Sequence, residues 1–148
     1  MGLKRGDKLP YFELKDQDNQ LIKSIDLKNK PVVIYFYPKN FTPGCTKEAC
    51  NFRDRYEDFT NEGAVVIGVS SDSTASHSKF ARKYNLPFQF LADTDGELRK
   101  KFNVKSELFG LLPGRETFVF DKENKLIMRY NSIKSSKHTT KALQALKE

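Results

Sequence analysis

Cysteine is scarce in this chain: two residues in 148, at positions 45 and 50. That is too few for the disulfide framework of a small secreted domain. Thiols so sparingly used and so closely spaced point instead to catalysis, redox chemistry or metal binding in a reducing compartment. Long hydrophobic runs are also missing. No stretch approaches the roughly 20 apolar residues of a membrane-spanning helix, and the longest runs, around Val32–Tyr37 and Ala64–Val69, have strand length. Met1–Pro10 is charged and lacks the apolar centre of a secretory leader. A mature form trimmed of a targeting peptide fits the same residues. The opening Met1-Gly2 makes no myristoylation signal, because Gly6 stands where Ser or Thr is required. Repeats, low-complexity tracts and linkers are absent, so residues 1–148 read as a single domain.

What is present suits a soluble globular protein with one substantial core: 38% hydrophobic and 30% charged residues. The net charge of +7 comes from 26 Lys and Arg against 19 Asp and Glu. An excess of this sign can attract nucleic acid. Here it is spread along the chain, and its small clusters at Arg99–Lys101 and Lys134–Lys137 lack interleaved aromatics. They read as solvated faces. A DNA-binding role rests on net charge alone, and a salt-sensitive gel shift at physiological ionic strength is the observation that would favour it.

Periodicity and punctuation outline an α/β chain. Tyr11–Lys15 and Gln20–Ile22 flank a polar Asp16–Asn19 turn and predict an N-terminal hairpin. Pro31 opens the apolar run Val32–Tyr37, a buried central strand that the Pro38–Gly44 segment ends. From Cys45 to about Asn61, Ala49, Phe52, Tyr56 and Phe59 recur at helical spacing, and Gly63 follows as a stop. Ala64–Val69 predicts a second buried strand, and a helix follows over Thr74–Tyr84. A short helix is expected over Gly96–Phe102, two strands over Thr117–Asp121 and Lys125–Tyr130, and a last helix over Ser136–Lys147. The result is an open sheet with helices on both faces and a site at the C-terminal edge of the central strands.

The chemistry concentrates in Pro38-Lys39-Asn40-Phe41-Thr42-Pro43-Gly44-Cys45-Thr46-Lys47-Glu48-Ala49-Cys50. Cys45 falls at the first turn of a helix directly after a buried strand. The unpaired N–H groups and the positive dipole end there favour a thiolate over a thiol, and Lys39 and Lys47 add positive charge nearby. The plainer alternative, a small apolar residue packed at a strand end, suits the polar neighbours Gly44, Thr46 and Lys47 poorly. Cys50 is either a buried structural cysteine beside Ala49 or a partner of Cys45. Five residues of ideal helix separate two Cα atoms by roughly 8–9 Å, whereas a disulfide tolerates about 7 Å at most. If the two pair during turnover, the first turns of the helix must unwind, which makes this a region of low local stability.

Pro38-x-x-x-Thr42-x-x-Cys45 resembles the active-site signature of peroxiredoxins. The C-x4-C spacing within Thr42–Cys50 is similar to that of the Q-type subgroup, also called bacterioferritin-comigratory proteins. Further similarity runs through Phe52-Arg53-Asp54, Ala75-Ser76-His77, Tyr84-Asn85-Leu86-Pro87 and Phe109-Gly110-Leu111-Leu112-Pro113-Gly114-Arg115, covering most of the chain. The resemblance implies a thioredoxin-like α/β fold with a central mixed sheet, flanking helices and an N-terminal hairpin. It implies Cys45 as peroxidatic cysteine, Cys50 as resolving cysteine joined to it in an intramolecular disulfide, and Thr42 holding thiolate and peroxide. Pro38 would shield the pocket, and Arg115 would stabilise the charge left by O–O cleavage. It further implies hydrogen peroxide or organic hydroperoxides as substrate, thioredoxin as reductant, a monomer, and no metal, flavin or haem. A reducing intracellular compartment fits, the cytoplasm first, with plastid and nucleus compatible.

On residue chemistry alone, Thr42 also fits turn chemistry before Pro43, Arg115 reads as a surface turn residue after Pro113-Gly114, and Pro38 as a strand end; Glu48 matches the family pattern and fits a helix-surface salt bridge equally well. Phe41, Phe109 and Leu111 are candidates for an apolar substrate wall. Two rival functions come from the cysteines. A thiol–disulfide oxidoreductase normally uses C-x-x-C, and the spacing here is longer. A zinc site from Cys45, Cys50, His77 and His138 matches no zinc-module spacing, and His77, between Ser76 and Ser78, reads as a surface helix residue.

Overall fold

Every residue of the run Val32–Phe36 is β-branched or aromatic, and every one is buried, so it forms the central strand β3 of a five-stranded sheet. We describe the chain from a computed structural model covering residues 3–104, 106–107 and 112–148. The N-terminal hairpin pairs β1 (Glu13–Lys15) with β2 (Leu21–Lys23). One carboxylate oxygen of Asp16 holds its turn by accepting from the amides of Asp18 and Gln20, the local bonding for which Asp is favoured in turns. A 3-10 turn over Ser24–Leu27 leads into β3. After β3 come α1 (Pro43–Asp54), α2 (Tyr56–Asn61), β4 (Val65–Ser70), α3 (Thr74–Tyr84), β5 (Gln89–Ala92) and α4 (Glu97–Lys101). The two-residue strands β6 (Ser106–Glu107) and β7 (Leu112–Pro113) pair with each other. They are followed by β8 (Glu116–Phe120), β9 (Leu126–Asn131) and α5 (His138–Lys147).

The sheet order is β5-β4-β3-β8-β9, parallel through β5, β4 and β3 and antiparallel at β8 and β9. The period of two in β3 divides its side chains between two layers. Val33, Tyr35 and Tyr37 pack with Phe52 of α1, Phe59 of α2, Phe80 of α3 and Ala142 and Leu143 of α5. Val32, Ile34 and Phe36 pack with Leu98 of α4, Phe102, and Phe12 and Leu27 from the N-terminal segment. Helices therefore cover both faces of a mixed sheet, the expected thioredoxin-like architecture.

Three differences from the sequence expectation stand out. The helix expected from Cys45 to Asn61 breaks at Arg55 (φ −108°, ψ 12°), where the amides of Asp58 and Phe59 both return to the Arg55 carbonyl and tighten the turn. Strand β5 was not anticipated, since Pro87 precedes a run only four residues long; it pairs in parallel with β4. The pair β6–β7 was likewise unanticipated.

Candidate active site

Strand β3 ends where its partners do, with the Tyr37 amide still bonded to the Val69 carbonyl. Pro38 follows, half-buried and without an amide to extend the ladder. The loop then crosses to α3 on a buried polar peg. Asn40 is 3% exposed; its amide donates to Asp72 Oδ2 at 2.9 Å, its Nδ2 to His77 Nδ1 at 3.0 Å, and its Oδ1 accepts from the Tyr37 hydroxyl at 2.5 Å. His77 Nε2 lies 3.1 Å from the Leu91 carbonyl, which can only accept, so the ring proton sits on Nε2 and Nδ1 is free to accept from Asn40. His77 is thus fully buried and not on the helix surface as expected. Burial holds it below its usual pKa of 6.5, against the opposing charge of Asp72. Below about that pH the unfolded chain takes up a proton that the fold resists, so this contribution to stability is kept above 6.5 and lost as pH falls. We expect the melting temperature of the wild type to drop on acidification below 6.5, and His77→Gln to show a shallower drop in pH-dependent thermal melts.

Phe41 adopts a left-handed backbone (φ 67°) and lays its ring on Phe80 and Tyr84. It is 45% exposed; its proposed companions Phe109 and Leu111 lie outside the described residues. Thr42 is the N-cap of α1 and Pro43 occupies N1, where a missing amide costs nothing. The Thr42 hydroxyl donates to the Lys39 carbonyl at 2.9 Å and does not cap the helix. No acidic residue stands in the first turn, so the positive end of α1 is left to Cys45, its third residue, which is 1% exposed.

The antiparallel register sets Phe36 opposite Glu116, which brings Arg115 to the edge where β3 gives way to α1. Arg115 is buried, not on a surface turn. Its Nη2 donates to Cys45 Sγ at 3.5 Å, its Nη1 to Glu48 Oε1 at 2.5 Å and its Nε to the Ile133 carbonyl at 3.1 Å. Burial opposes its charge, but Glu48 and Cys45 beside it hold its pKa above the ordinary value. Glu48 is fully buried and not a helix-surface partner; its position three residues after Cys45 puts both on one helix face. Burial pushes its pKa up to about 7 against the pull of Arg115. Behind it, His138 Nδ1 lies 3.6 Å from Glu48 Oε2 and 2.7 Å from Thr117 Oγ1.

Arg99, expected on a solvated basic face, is half-buried and clamps the two loops, donating to the carbonyls of Tyr37 and Gly114 at 3.1 Å each. Gly44 leaves room for Arg115: a Cβ there would lie 3.2 Å from Nη2. Gly44→Ala should displace the guanidinium by a few tenths of an ångström and slow the reaction of the sulfur several-fold. The denaturant midpoint should change little, so rate and unfolding measured side by side check the expectation.

The structure brings together Cys45, Arg115 and Glu48, the last in a buried ion pair where the sequence fitted a surface one equally well. Cys50 lies half-buried farther along α1, and both cysteines are free thiols. Among the described residues the one hydrogen bond to Sγ comes from Arg115, and no group of histidines, cysteines and carboxylates is arranged to hold a metal ion. Nor is any described helix long and apolar enough to cross a membrane.

A free cysteine that opens a helix on a thioredoxin-like sheet and receives a guanidinium bond defines an enzyme working through a thiol. Residues 5–129 match the AhpC/TSA family. The chain is 50% identical over 147 residues to the chloroplastic peroxiredoxin Q of Sedum lineare, covering 97% of this chain and 79% of that one. It is 49% identical to that of Populus jackii, covering 96% and 68%. The fold is similar to a crystal structure of the peroxidoxin BcpB from Mycobacterium tuberculosis (TM-score 0.89, 38% identity, 98% and 97% covered). It is similar also to a mutant PrxQ from Xylella fastidiosa (TM-score 0.92, 29% identity, 99% and 97% covered). The chain belongs to the AhpC/TSA family and, within it, to the Q-type peroxiredoxins, which are thiol-dependent peroxidases.

Proposed function

We propose that Cys45 is the peroxidatic cysteine and Cys50 the resolving one, acting within one monomeric domain of residues 1–148. The observation that carries this reading is the Arg115 Nη2 to Cys45 Sγ contact at the positive end of α1. The Cys45 thiolate attacks the terminal oxygen of a hydroperoxide. The O–O bond breaks, sulfur is oxidised to the sulfenic acid, and the departing oxygen takes a proton to leave as water or alcohol. Arg115 lies where negative charge collects on the separating oxygens. In this reading Thr42, at the N-cap, orients the peroxide, and Pro38, at the strand end, excludes water. Cys50 then displaces hydroxide from the sulfenic sulfur, water leaves, and a disulfide forms. For that the first turns of α1 open, since five residues of intact helix hold the Cα atoms beyond disulfide reach. A dithiol protein of the thioredoxin type returns both thiols by exchange.

Organic hydroperoxides are supported as substrates alongside hydrogen peroxide by the bacterioferritin comigratory protein of Xanthomonas campestris, a structural relative described for its alkyl peroxide reduction activity. The chloroplastic relatives favour a plastid for this chain over the cytoplasm or nucleus. The test is hydroperoxide consumption coupled to thioredoxin oxidation. A reduced protein that keeps both thiols in excess hydroperoxide would end the proposal.

A further inference from the structure

Glu48 presents its two carboxylate oxygens to different surroundings. Oε1 receives Arg115, while Oε2 is buried without a hydrogen-bond partner. A bare carboxylate oxygen in the interior is costly, and the imidazole of His138, itself fully buried, lies 3.6 Å from it. His138 Nε2 lies 3.0 Å from the Ser132 carbonyl, an acceptor only, so Nε2 carries the ring proton. In the neutral ring Nδ1 is then a lone pair, filled by the Thr117 hydroxyl. Oε2 and Nδ1, both acceptors in this state, therefore stand 3.6 Å apart with no proton of their own to share. One added proton on either atom turns this opposition into a hydrogen bond, while the Thr117 hydroxyl rotates aside.

We propose that His138 is a positioning residue of the peroxidase site: the one proton it shares with Glu48 decides how much of the Arg115 charge reaches the Cys45 sulfur. The inference rests on Cys45 being the peroxide-reactive thiol. With the proton in place Glu48 is neutral and the guanidinium serves the thiolate alone. With the proton gone two anions compete for one cation, and the sulfur holds its own proton more tightly. No bond other than those to hydrogen changes, and the proton exchanges with solvent.

One other donor lies in the same core, the Tyr35 hydroxyl, buried and without a hydrogen-bond partner. Glu48 is faced by Arg115 ahead of β8, His138 of α5, Cys45 on its own helix, and Tyr35 and Tyr37 at β3. Burial holds both tyrosines well above their usual pKa, so they keep their protons, and His138 is the group that can exchange one with Glu48. His138 is faced by Glu48, by Arg115, by Tyr130 across an edge contact and by Glu116, whose own charge is paired with Arg129. In keeping with a single shared proton, burial drives Glu48 up to about 7 and His138 down to about 4.

The test is His138→Gln, whose amide N–H can donate to Oε2 without titrating and so keeps Glu48 ionised. Sulfur ionisation is read from thiolate absorbance, and reactivity from the pH profile of thiol loss with hydrogen peroxide. The apparent pKa of the sulfur should rise by about one unit, lowering the rate about tenfold in mildly acid solution and restoring it as pH rises. In a Glu48→Gln background the His138 substitution should shift nothing. An unshifted profile in a reactive His138→Gln protein, or a shift that persists with Glu48→Gln, overturns the inference. If wild type itself ignores peroxide, the failure lies with the assignment of Cys45. Should His138→Gln not fold, wild type still decides the matter. The Nδ1 resonance of His138 and the infrared band of the protonated Glu48 carboxyl must titrate with one midpoint, and two independent midpoints refute a shared proton.

Discussion

Cys45→Ser is expected to abolish hydroperoxide turnover, a loss of at least about a thousandfold, because no other group in the site can take its place as nucleophile. Cys50→Ser should behave differently. It should react once with peroxide at close to the wild-type rate, accumulate a sulfenic acid detectable by trapping, and then stall with thioredoxin. Stopped-flow thiol titration separates the first reaction from coupled turnover. The geometry motivates the contrast, since Arg115 bonds Cys45, whereas Cys50 lies half-buried five residues along the helix. Sustained turnover by Cys45→Ser would overturn the assignment.

Arg115→Met should lower the peroxide rate by about two to three orders of magnitude, the usual effect of losing a donor aimed at developing charge. It should also destabilise the fold by about 3–5 kcal/mol, because Glu48 would stay buried without its cation. The sign of the pH effect follows from Glu48. In the folded protein its pKa stands at about 7 against an ordinary 4.5. The fold therefore binds a proton more tightly than the unfolded chain, and stability falls as pH rises through that interval. Without Arg115 the folded value rises further and the decline extends to higher pH. Urea unfolding of variant and wild type should thus show a gap that widens from mildly acid to alkaline solution. A constant gap would mean that Glu48 does not carry the loss.

Elements punctuated by Pro, Gly or strong periodicity were legible in the sequence: the hairpin around Asp16, the strand after Pro31 and the helix opening at Cys45. The placement of Cys45 in the first turn of that helix was legible for the same reason, since its surroundings are local. What escaped was settled by long-range register. Arg115, which only the family resemblance lifted from a surface turn, and Glu48 stand 67 residues apart, and by residue chemistry alone both look like surface charges until β8 aligns on β3. His77 looked exposed because its acceptor, the Leu91 carbonyl, belongs to β5, the strand that a four-residue run after Pro87 did not reveal. Arg99 looked like part of a basic cluster until its carbonyl partners, from two distant loops, came together. Burial of a charge depends on its partner, and the partner here was always far along the chain.

The direction of β8 has one more consequence. Running against β3, it delivers its preceding arginine to a cysteine 70 residues earlier, so the two meet only once that strand pair has closed. A nascent or half-folded chain lacks that guanidinium beside either thiol, and its thiols should react slowly with oxidants. With Cys45 as the proposed peroxide-reactive thiol, peroxide consumption during refolding should appear together with burial of the central strands.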